Sequence, residues 1–355
     1  MILNGLPSVE QKENSPMYLN RRGFLKRASQ FAMAATVTSA RPAVSSESEK
    51  DEKTSSIPIV DTHQHLWDLS KLKLTWVRPP LDRSFTLEDY MEASRGLNVV
   101  KAVYMEVAAP REQRLEEAEY VIGLCKDPDS VTQAAVIAGS PAEEGFPEYV
   151  ARFRGNPYVK GVRGALPPKR MGDKDVIENL HLLGDLGMRF GLNMPAKALG
   201  EAAPLVERCP DTRFILDHCG NADPVAFFPA GRTAPRRSQH SPMQWKRDMD
   251  RVAARENVTC KISGIVDNVP GYPLTAEDLA PIIDHCLDTF GPDRVIFASD
   301  WPVCLRGASL RKWVELLKEV TASRPETEQR KLFHDNAVKL YDLASEGDNT
   351  GSLRT

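Results

Sequence analysis

The sequence predicts an α/β protein built as one (β/α)8 TIM barrel, and three observations predict it. Short β-branched runs alternate with amphipathic helical stretches, a pattern typical of parallel strands joined by helices. Eight such units follow one another after residue 56. The remaining length suits this fold, which takes roughly 250 residues as a single domain. An open doubly wound sheet is the alternative, but no Gly-rich phosphate loop follows any predicted strand.

Each predicted strand is a short run of apolar or β-branched residues. The eight strands are predicted at 57–61, 99–106, 132–137, 159–164, 189–193, 212–217, 258–263 and 294–298. The clearest predicted helices between them are 114–125, 174–186, 243–255 and 275–290. Active sites of this fold lie where the strands end at their C-terminal side. The polar residues found there are His63, His65, Glu106, Arg163, Asn193, His218, Lys261 and Asp300.

Composition excludes one class of partner. The 355 residues include 46 basic and 49 acidic side chains, for a formal net charge of −3. Because there is no basic excess to neutralise a phosphate backbone, we expect no nucleic-acid partner. The six cysteines form no CxxC pair and lie mostly in apolar runs, as buried thiols do. Their spacing leaves disulfide pairing open.

Residues 1–40 are predicted to be a twin-arginine-type signal peptide. Arg21 and Arg22 precede Phe-Leu-Lys and an uncharged run over 28–40, which is shorter than the roughly 20 residues of a membrane span. A disordered basic tail is the alternative. Residues 41–56 are predicted as a flexible linker, 57–345 as the barrel and 346–355 as a disordered tail. We therefore expect twin-arginine export machinery as a partner, a periplasmic or secreted bacterial location, and no membrane span.

His63 and His65 carry the first chemical signal. They stand two residues apart at the end of the first predicted strand, and strand geometry places such residues on the same face. Two imidazoles on one face can bind a single metal ion or a single substrate group. A His-x-His pair that leaves a strand therefore favours a functional role over a structural one.

Five short motifs follow in order through the predicted barrel. They occupy 61–68 (DTHQHLWD), 161–163 (GVR), 216–220 (LDHCG), 261–264 (KISG) and 297–302 (FASDWP), with Asn336, Ala337 and Tyr341 behind them. Together they resemble amidohydrolase family 2, and within it the sugar-lactone hydrolases such as fuconolactonases, over about 57–343. The resemblance implies a TIM barrel that hydrolyses a small molecule, a sugar lactone or a similar cyclic ester.

The resemblance also implies roles for residues at the strand ends. The aspartate that matches Asp300 takes the proton from the attacking water, and a carboxylate is a competent general base if it touches that water. His218 is expected to polarise the scissile carbonyl or to bind a metal, with a structural hydrogen bond as the alternative. Lys261 is expected to bind a substrate carbonyl or carboxylate, with a structural ion pair as the alternative. The guanidinium of Arg163 suits a forked contact with a carboxylate or ring oxygen.

Metal-rich relatives complete their site with a lysine on strand four or a histidine on strand five. Here Arg163 and Asn193 stand at these positions. His63, His65 and Asp300, with His218 as an additional candidate, can hold one divalent ion, for which zinc is expected, or none.

The predicted substrate contacts are Arg163, Glu106, Asn193, Trp67 and Trp301. For Glu106, pairing with Lys261 or an arginine is the alternative. Trp67 and Trp301, together with Trp76, would form an apolar wall against a sugar ring, with core packing as the alternative. The segment 221–244 follows strand six and can fold over the mouth as a lid, and its basic residues fit an anionic or polyhydroxylated substrate.

Two other functions stay open at this point. Related barrels decarboxylate aromatic acids without oxidation, with a tightly bound metal. A non-catalytic exported carbohydrate-binding barrel is the other reading, although the set of Asp300, His63 and His65 argues against it. Homo-oligomer formation is also left open.

Overall fold

A computed structural model describes residues 57–344 of the chain. The predicted signal peptide, linker and C-terminal tail lie outside these residues. Within 57–344, no helix combines the length and apolar character that crossing a membrane requires.

Eight parallel strands form one sheet, and each strand pairs with the next one along the chain. The strands are β1 Ile59–Gln64, β2 Val99–Met105, β3 Thr132–Ala138, β4 Val159–Arg163, β5 Arg189–Leu192, β6 Arg213–Leu216, β7 Val258–Ile262 and β8 Val295–Phe297. Each overlaps a predicted strand and differs from it by at most three residues at either end. The TIM-barrel prediction is confirmed.

The seam between β8 and β1 is closed by a few specific bonds. Gln64 and Trp301 form a parallel bridge, and the His65 N–H donates to the Trp301 carbonyl at 2.8 Å. The Thr62 hydroxyl donates to the Phe297 carbonyl at 2.6 Å. The seam therefore closes beside the predicted histidines.

Helices connect the strands, and most of them cover the outside of the barrel. They are α1 Leu87–Ser94, α2 Arg114–Lys126, α3 Phe146–Ala151, α4 Lys174–Asp185, α5 Ala202–Glu207, α6 His218–Asn221, α7 Pro242–Ala253, α8 Ala276–Phe290, α9 Leu310–Thr321, α10 Glu326–Arg330 and α11 Asn336–Tyr341. Capping boxes start α1 and α8, where a threonine and the aspartate three residues later bond each other's backbone N–H. The four clearest predicted helices match α2, α4, α7 and α8 to within two residues.

The N-terminal end of the barrel is filled with apolar side chains. Val60, Val103, Val136, Ile215 and Ile296 belong to one buried cluster that also contains Ala337 and Tyr341 of α11. The Asn336 side chain donates to the carbonyls of Pro292 and Val295, both at 2.8 Å, where β8 begins. These bonds place α11 across the N-terminal end. The polar residues at the C-terminal ends of the strands lie at the opposite end, which is the mouth of the barrel.

Candidate active site

His63 and His65 stand side by side with Asp300 at the C-terminal end of the strands. Their ring centroids are 4.7 Å apart and their Nε2 atoms 3.1 Å apart. The Asp300 Oδ1 lies 3.4 Å from His63 Nε2 and 3.3 Å from His65 Nε2. The structure thus brings β1 and the segment after β8 together at one point.

Each of the two rings has a partner at its Nδ1 atom. His65 Nδ1 lies 3.0 Å from the Met105 carbonyl, which can only accept, so Nδ1 carries a proton. Lys261 Nζ lies 3.2 Å from His63 Nδ1. Burial, reinforced by the charge of Lys261, holds the pKa of His63 well below its usual value. The His63 imidazole is therefore neutral at pH 7.

Asp300 is ionised at neutral pH although it is buried. Burial alone would raise the pKa of its carboxyl, but the neighbouring His218, His65 and Arg163 outweigh burial and lower it. Its backbone has φ 56°, a left-handed conformation that a residue with a side chain adopts at a cost. An ionised carboxylate held in this way can accept a proton.

The three side chains also fit one metal ion. Atoms bound at 2.0–2.2 Å to a single tetrahedral ion lie about 3.4 Å apart, which matches the separations among His63 Nε2, His65 Nε2 and Asp300 Oδ1. Two histidines and a carboxylate leave a fourth position open, as catalytic zinc sites do. The bond from His65 to a backbone carbonyl is the type of support that metal-binding histidines commonly have.

A buried ion network lies behind the histidines. Arg163 donates from Nη1 to Glu106 Oε1 at 2.6 Å and from Nε to Asp217 Oδ2 at 3.0 Å. Lys261 Nζ lies 3.1 Å from Asp217 Oδ1. Despite its burial, Asp217 has a lowered pKa because of the charges of Lys261 and Arg163. Glu106 thus pairs with an arginine, the alternative foreseen for it.

The substrate-binding role predicted for Lys261 is not what the structure shows. Its side chain is completely buried and does not line the cavity described below. It contacts His63 and Asp217 instead, so the structural ion pair holds, and Lys261 is a positioning residue for His63. The apolar residues around it in β7 predicted its burial but not the direction of its ammonium group.

His218 begins α6, a single turn in which all four residues have positive φ. The hydroxyl of Ser263 lies 2.9 Å from His218 Nδ1, and burial lowers the pKa of His218. Gly264 lies against the ring at φ 63°, and a Cβ there would overlap the imidazole. The glycine of the KISG motif therefore makes room for His218.

A cavity of about 500 Å³ opens above these residues. Its lining includes six predicted site residues, namely His65, Glu106, Arg163, Asn193, His218 and Asp300. Trp67 and Trp301 do not line it. They are buried in the core, where both contact the Phe85 ring. Their predicted role as a substrate wall is therefore corrected to core packing, and Trp76 is the tryptophan in the cavity wall.

Besides Asp217, two further carboxyl groups of the site were not singled out from the sequence. Asp61 accepts from the backbone N–H of His63 at 3.1 Å and of Ser299 at 2.8 Å, and so joins β1 to the segment after β8. Its place at the start of the DTHQH motif was the available signal. Asp267 lines the cavity, and burial together with the charge of Asp300 raises its pKa to about 8. No sequence pattern marks Asp267, because only the fold brings the loops after β7 and β8 together.

Residues 60–343 match the model of a family described as amidohydrolase. An L-fucono-1,5-lactonase of Burkholderia multivorans is 27% identical over 301 residues, which cover 81% of this chain and 97% of that protein. An L-rhamnono-gamma-lactonase of Scheffersomyces stipitis is 24% identical over 81% of this chain and 100% of that protein. A crystal structure of a Burkholderia multivorans amidohydrolase with bound zinc superposes with a TM-score of 0.69 at 23% identity, covering 81% of this chain and all of that one.

Proposed function

Because the chain belongs to the amidohydrolase family, we propose that this hydrolase is a lactonase that opens a sugar lactone by attack of water. One observation carries the proposal: the ionised Asp300 faces a cavity of about 500 Å³ beside His63 and His65. Hydrolysis of an ester needs a base for the water and donors for the developing oxyanion. The two lactonase relatives, matched over 97% and 100% of their lengths, support this choice.

Asp300 is the proposed base. Its carboxylate accepts a proton from water while the water oxygen bonds to the carbonyl carbon of the lactone. The ring C–O bond then breaks, and Asp300 returns the proton to the leaving alkoxide oxygen. The product is a hydroxy acid, which releases a proton to the solution at neutral pH.

Arg163 is the proposed donor to the lactone. Glu106 and Asp217 hold its Nη1 and Nε, and no described residue accepts from its Nη2. A guanidinium fixed on two sides loses little freedom when it binds a substrate oxygen. His218 lines the same cavity as a second hydrogen-bonding group, oriented through Ser263.

We further propose that His63, His65 and Asp300 hold one divalent ion, zinc by preference. When bound, such an ion would polarise the carbonyl and lower the pKa of a coordinated water. His63 and Asp217 also meet His218 in a second group of potential ligands, but Asp217 is already engaged by Lys261 and Arg163. Metal analysis of the purified protein, followed by chelation and re-addition of zinc, tests this; undiminished activity in the metal-depleted protein would exclude the requirement.

The location of the enzyme is a separate proposal. We propose export through the twin-arginine pathway, supported by Arg21, Arg22 and the uncharged run over 28–40. Replacement of both arginines by lysine should retain the protein in the cytoplasm of the producing cell. An unchanged distribution between cytoplasm and periplasm would contradict export by this route.

The decisive experiment for activity is a panel of aldonolactones assayed with a pH indicator, because opening each ring releases acid. We expect rapid acid release with at least one lactone and about 10³-fold slower release with Asp300→Asn. Parallel incubation with hydroxylated benzoic acids, with carbon dioxide as the readout, tests the decarboxylase alternative. Carbon dioxide release without opening of any lactone would reject the lactonase proposal.

A further inference from the structure

A second cavity of about 380 Å³ adjoins the active-site cavity, and the mechanism above does not use it. The two cavities share Asn193, Asn221 and Asn268 in their walls. The rest of the second cavity is formed by Met194, Pro195, Ala196, Lys197, Gln239 and His240. Its lining is therefore rich in amides and contains no carboxylate among the described residues.

Hydrogen bonds hold the three shared asparagines in place. Asn221 Nδ2 donates to Asn193 Oδ1 and to the Met194 carbonyl, both at 2.8 Å, and Asn268 Nδ2 donates to the Ala222 carbonyl at 2.9 Å. Within residues 57–344, the Nδ2 of Asn193 and the Oδ1 atoms of Asn221 and Asn268 have no protein partner. The NH2 group of Asn193, the second N–H of Asn268 Nδ2 and two acceptor oxygens thus remain for a ligand, which suits hydroxyl groups because a hydroxyl both donates and accepts.

The loop that forms the far side of this cavity is also fixed. Asp223 accepts from Arg236 at 2.6 and 2.9 Å and from the Gln239 backbone at 2.8 Å. Arg236 also donates to the Asn268 carbonyl at 2.7 Å, and the Asp223 N–H donates to His240 Nε2 at 2.8 Å. A wall held in this way does not have to be ordered when a ligand binds, which lowers the cost of binding.

We propose that the second cavity binds a glycosyl group, so that the substrate is the lactone of a disaccharide aldonic acid. The inference rests on the proposed lactonase function. The active-site cavity already has a volume typical of a whole small-molecule site, so a single lactone ring leaves the second cavity unfilled. Amide donors and acceptors match the hydroxyls of a sugar, and Met194, Pro195 and Ala196 provide an apolar edge for its C–H face.

The test compares a monosaccharide aldonolactone with the disaccharide lactone that carries the same aldonate ring. We expect kcat/KM for the disaccharide lactone to be about 10-fold higher, as two or three added hydrogen bonds would give. The double variant Lys197→Ala/Gln239→Ala changes only the second cavity. It should reduce this advantage and leave the monosaccharide lactone unaffected. Lys312→Ala, an exposed lysine on α9, is the matched control.

The outcomes separate the two proposals. Equal kcat/KM for both lactones would overturn the proposal that the second cavity binds a glycosyl group, and so would a double variant that behaves as the wild type. The lactonase proposal would stand in either case. If no lactone is opened, the lactonase proposal fails. Calorimetry with the mono- and disaccharide aldonic acids then tests, by binding alone, whether the second cavity binds a glycosyl group. Tighter binding of the disaccharide acid, lost in the double variant, supports it. Equal binding, or a preference for a phosphorylated monosaccharide acid, overturns it.

Discussion

The two ends of this barrel differ in the way their turns are built. At the N-terminal ends of β2, β4, β5 and β8, the turns place Gly96, Gly155, Gly187 and Gly291 at positive φ. At the mouth, residues with side chains take positive φ and line the cavity, namely Ala108, His218, Asn221 and Asp300. Left-handed conformations cost such residues about 1–2 kcal/mol each. The mouth therefore carries more of this backbone strain than the opposite end, where Asn98 before β2 and Asp342 after α11 take positive φ.

Apart from Arg189, which is buried at the start of β5 and pairs with Asp342, the buried charges follow the same division. The N-terminal end is filled by an apolar cluster with Tyr341 and Ala337, whereas the mouth buries Asp217, Lys261, Arg163 and Asp300 in one network. Apolar contacts stabilise the fold without requiring a particular orientation of the side chains, while buried charges require specific partners. The comparison indicates that stability is concentrated at one end and chemistry at the other, as is general for this fold.

The largest expected effect compares the same substitution at the two ends of one strand, β8. Asp293 precedes β8 and Asp300 follows it, so Asp300→Asn and Asp293→Asn make the same change at the two ends. Loss of the general base should lower kcat about 10³-fold, while Asp293→Asn should leave kcat unchanged. Lactone turnover and the melting temperature of both variants test this. A kcat for Asp300→Asn within a few-fold of the wild type would reject Asp300 as the base.

The second prediction concerns stability at the opposite end. Tyr341→Ala empties a fully buried position in the apolar cluster and should cost about 3–5 kcal/mol of unfolding free energy. Tyr341→Phe should change stability by about 1 kcal/mol at most, toward greater stability, because the hydroxyl is buried without a partner. Urea unfolding measures both variants. The folded fraction should retain the wild-type kcat, and a large loss of kcat would show that the two ends are coupled.

A pair of glycines at positive φ sharpens the contrast. Gly187→Ala has open space around the new Cβ and should cost only the backbone strain, about 1–2 kcal/mol of stability. Gly264→Ala suffers similar strain and also forces a Cβ into the His218 ring. We therefore expect Gly264→Ala to lower kcat/KM at least about 10-fold through displacement of His218. Equal kcat/KM for the two variants would show that the position of His218 does not limit the reaction.

The last prediction concerns a pH dependence of stability at the mouth. The folded pKa of Asp267 is about 8, against a usual value of 3.8, so the folded state binds this proton more tightly than the unfolded state. Its contribution to stability is complete below pH 4 and is lost as the pH rises to about 8. Asp267→Asn lacks this loss and should gain stability relative to the wild type over that range.

Urea unfolding at pH 5, 7 and 9 provides the measurement for Asp267→Asn. Asp82→Asn, at an exposed loop position, serves as the matched control and should show a constant difference from the wild type. If the difference in unfolding free energy between Asp267→Asn and the wild type is also constant across the three pH values, the Asp267 carboxyl does not titrate as the structure indicates.

The sequence pattern was informative wherever a local rule decides the outcome. Alternation of apolar runs and amphipathic stretches gave the strand order, and the spacing of His63 and His65 gave their adjacency, because strand geometry is periodic. The sequence pattern was less informative for Trp67 and Trp301. A large aromatic near a motif is compatible with both a cavity wall and the core, and only their contacts with Phe85 separate the two.

By itself the sequence determined the TIM barrel, the polar residues at its strand ends and the family resemblance. Only the tertiary structure decided what each of these residues contacts. Lys261 bonds to His63 across 198 positions of sequence, and Asp61 joins β1 to Ser299 across 238. Such contacts arise when the ring of strands closes, and no local pattern encodes them. The fold therefore follows from periodicity along the chain, while the division between strained mouth and apolar base depends on that closure.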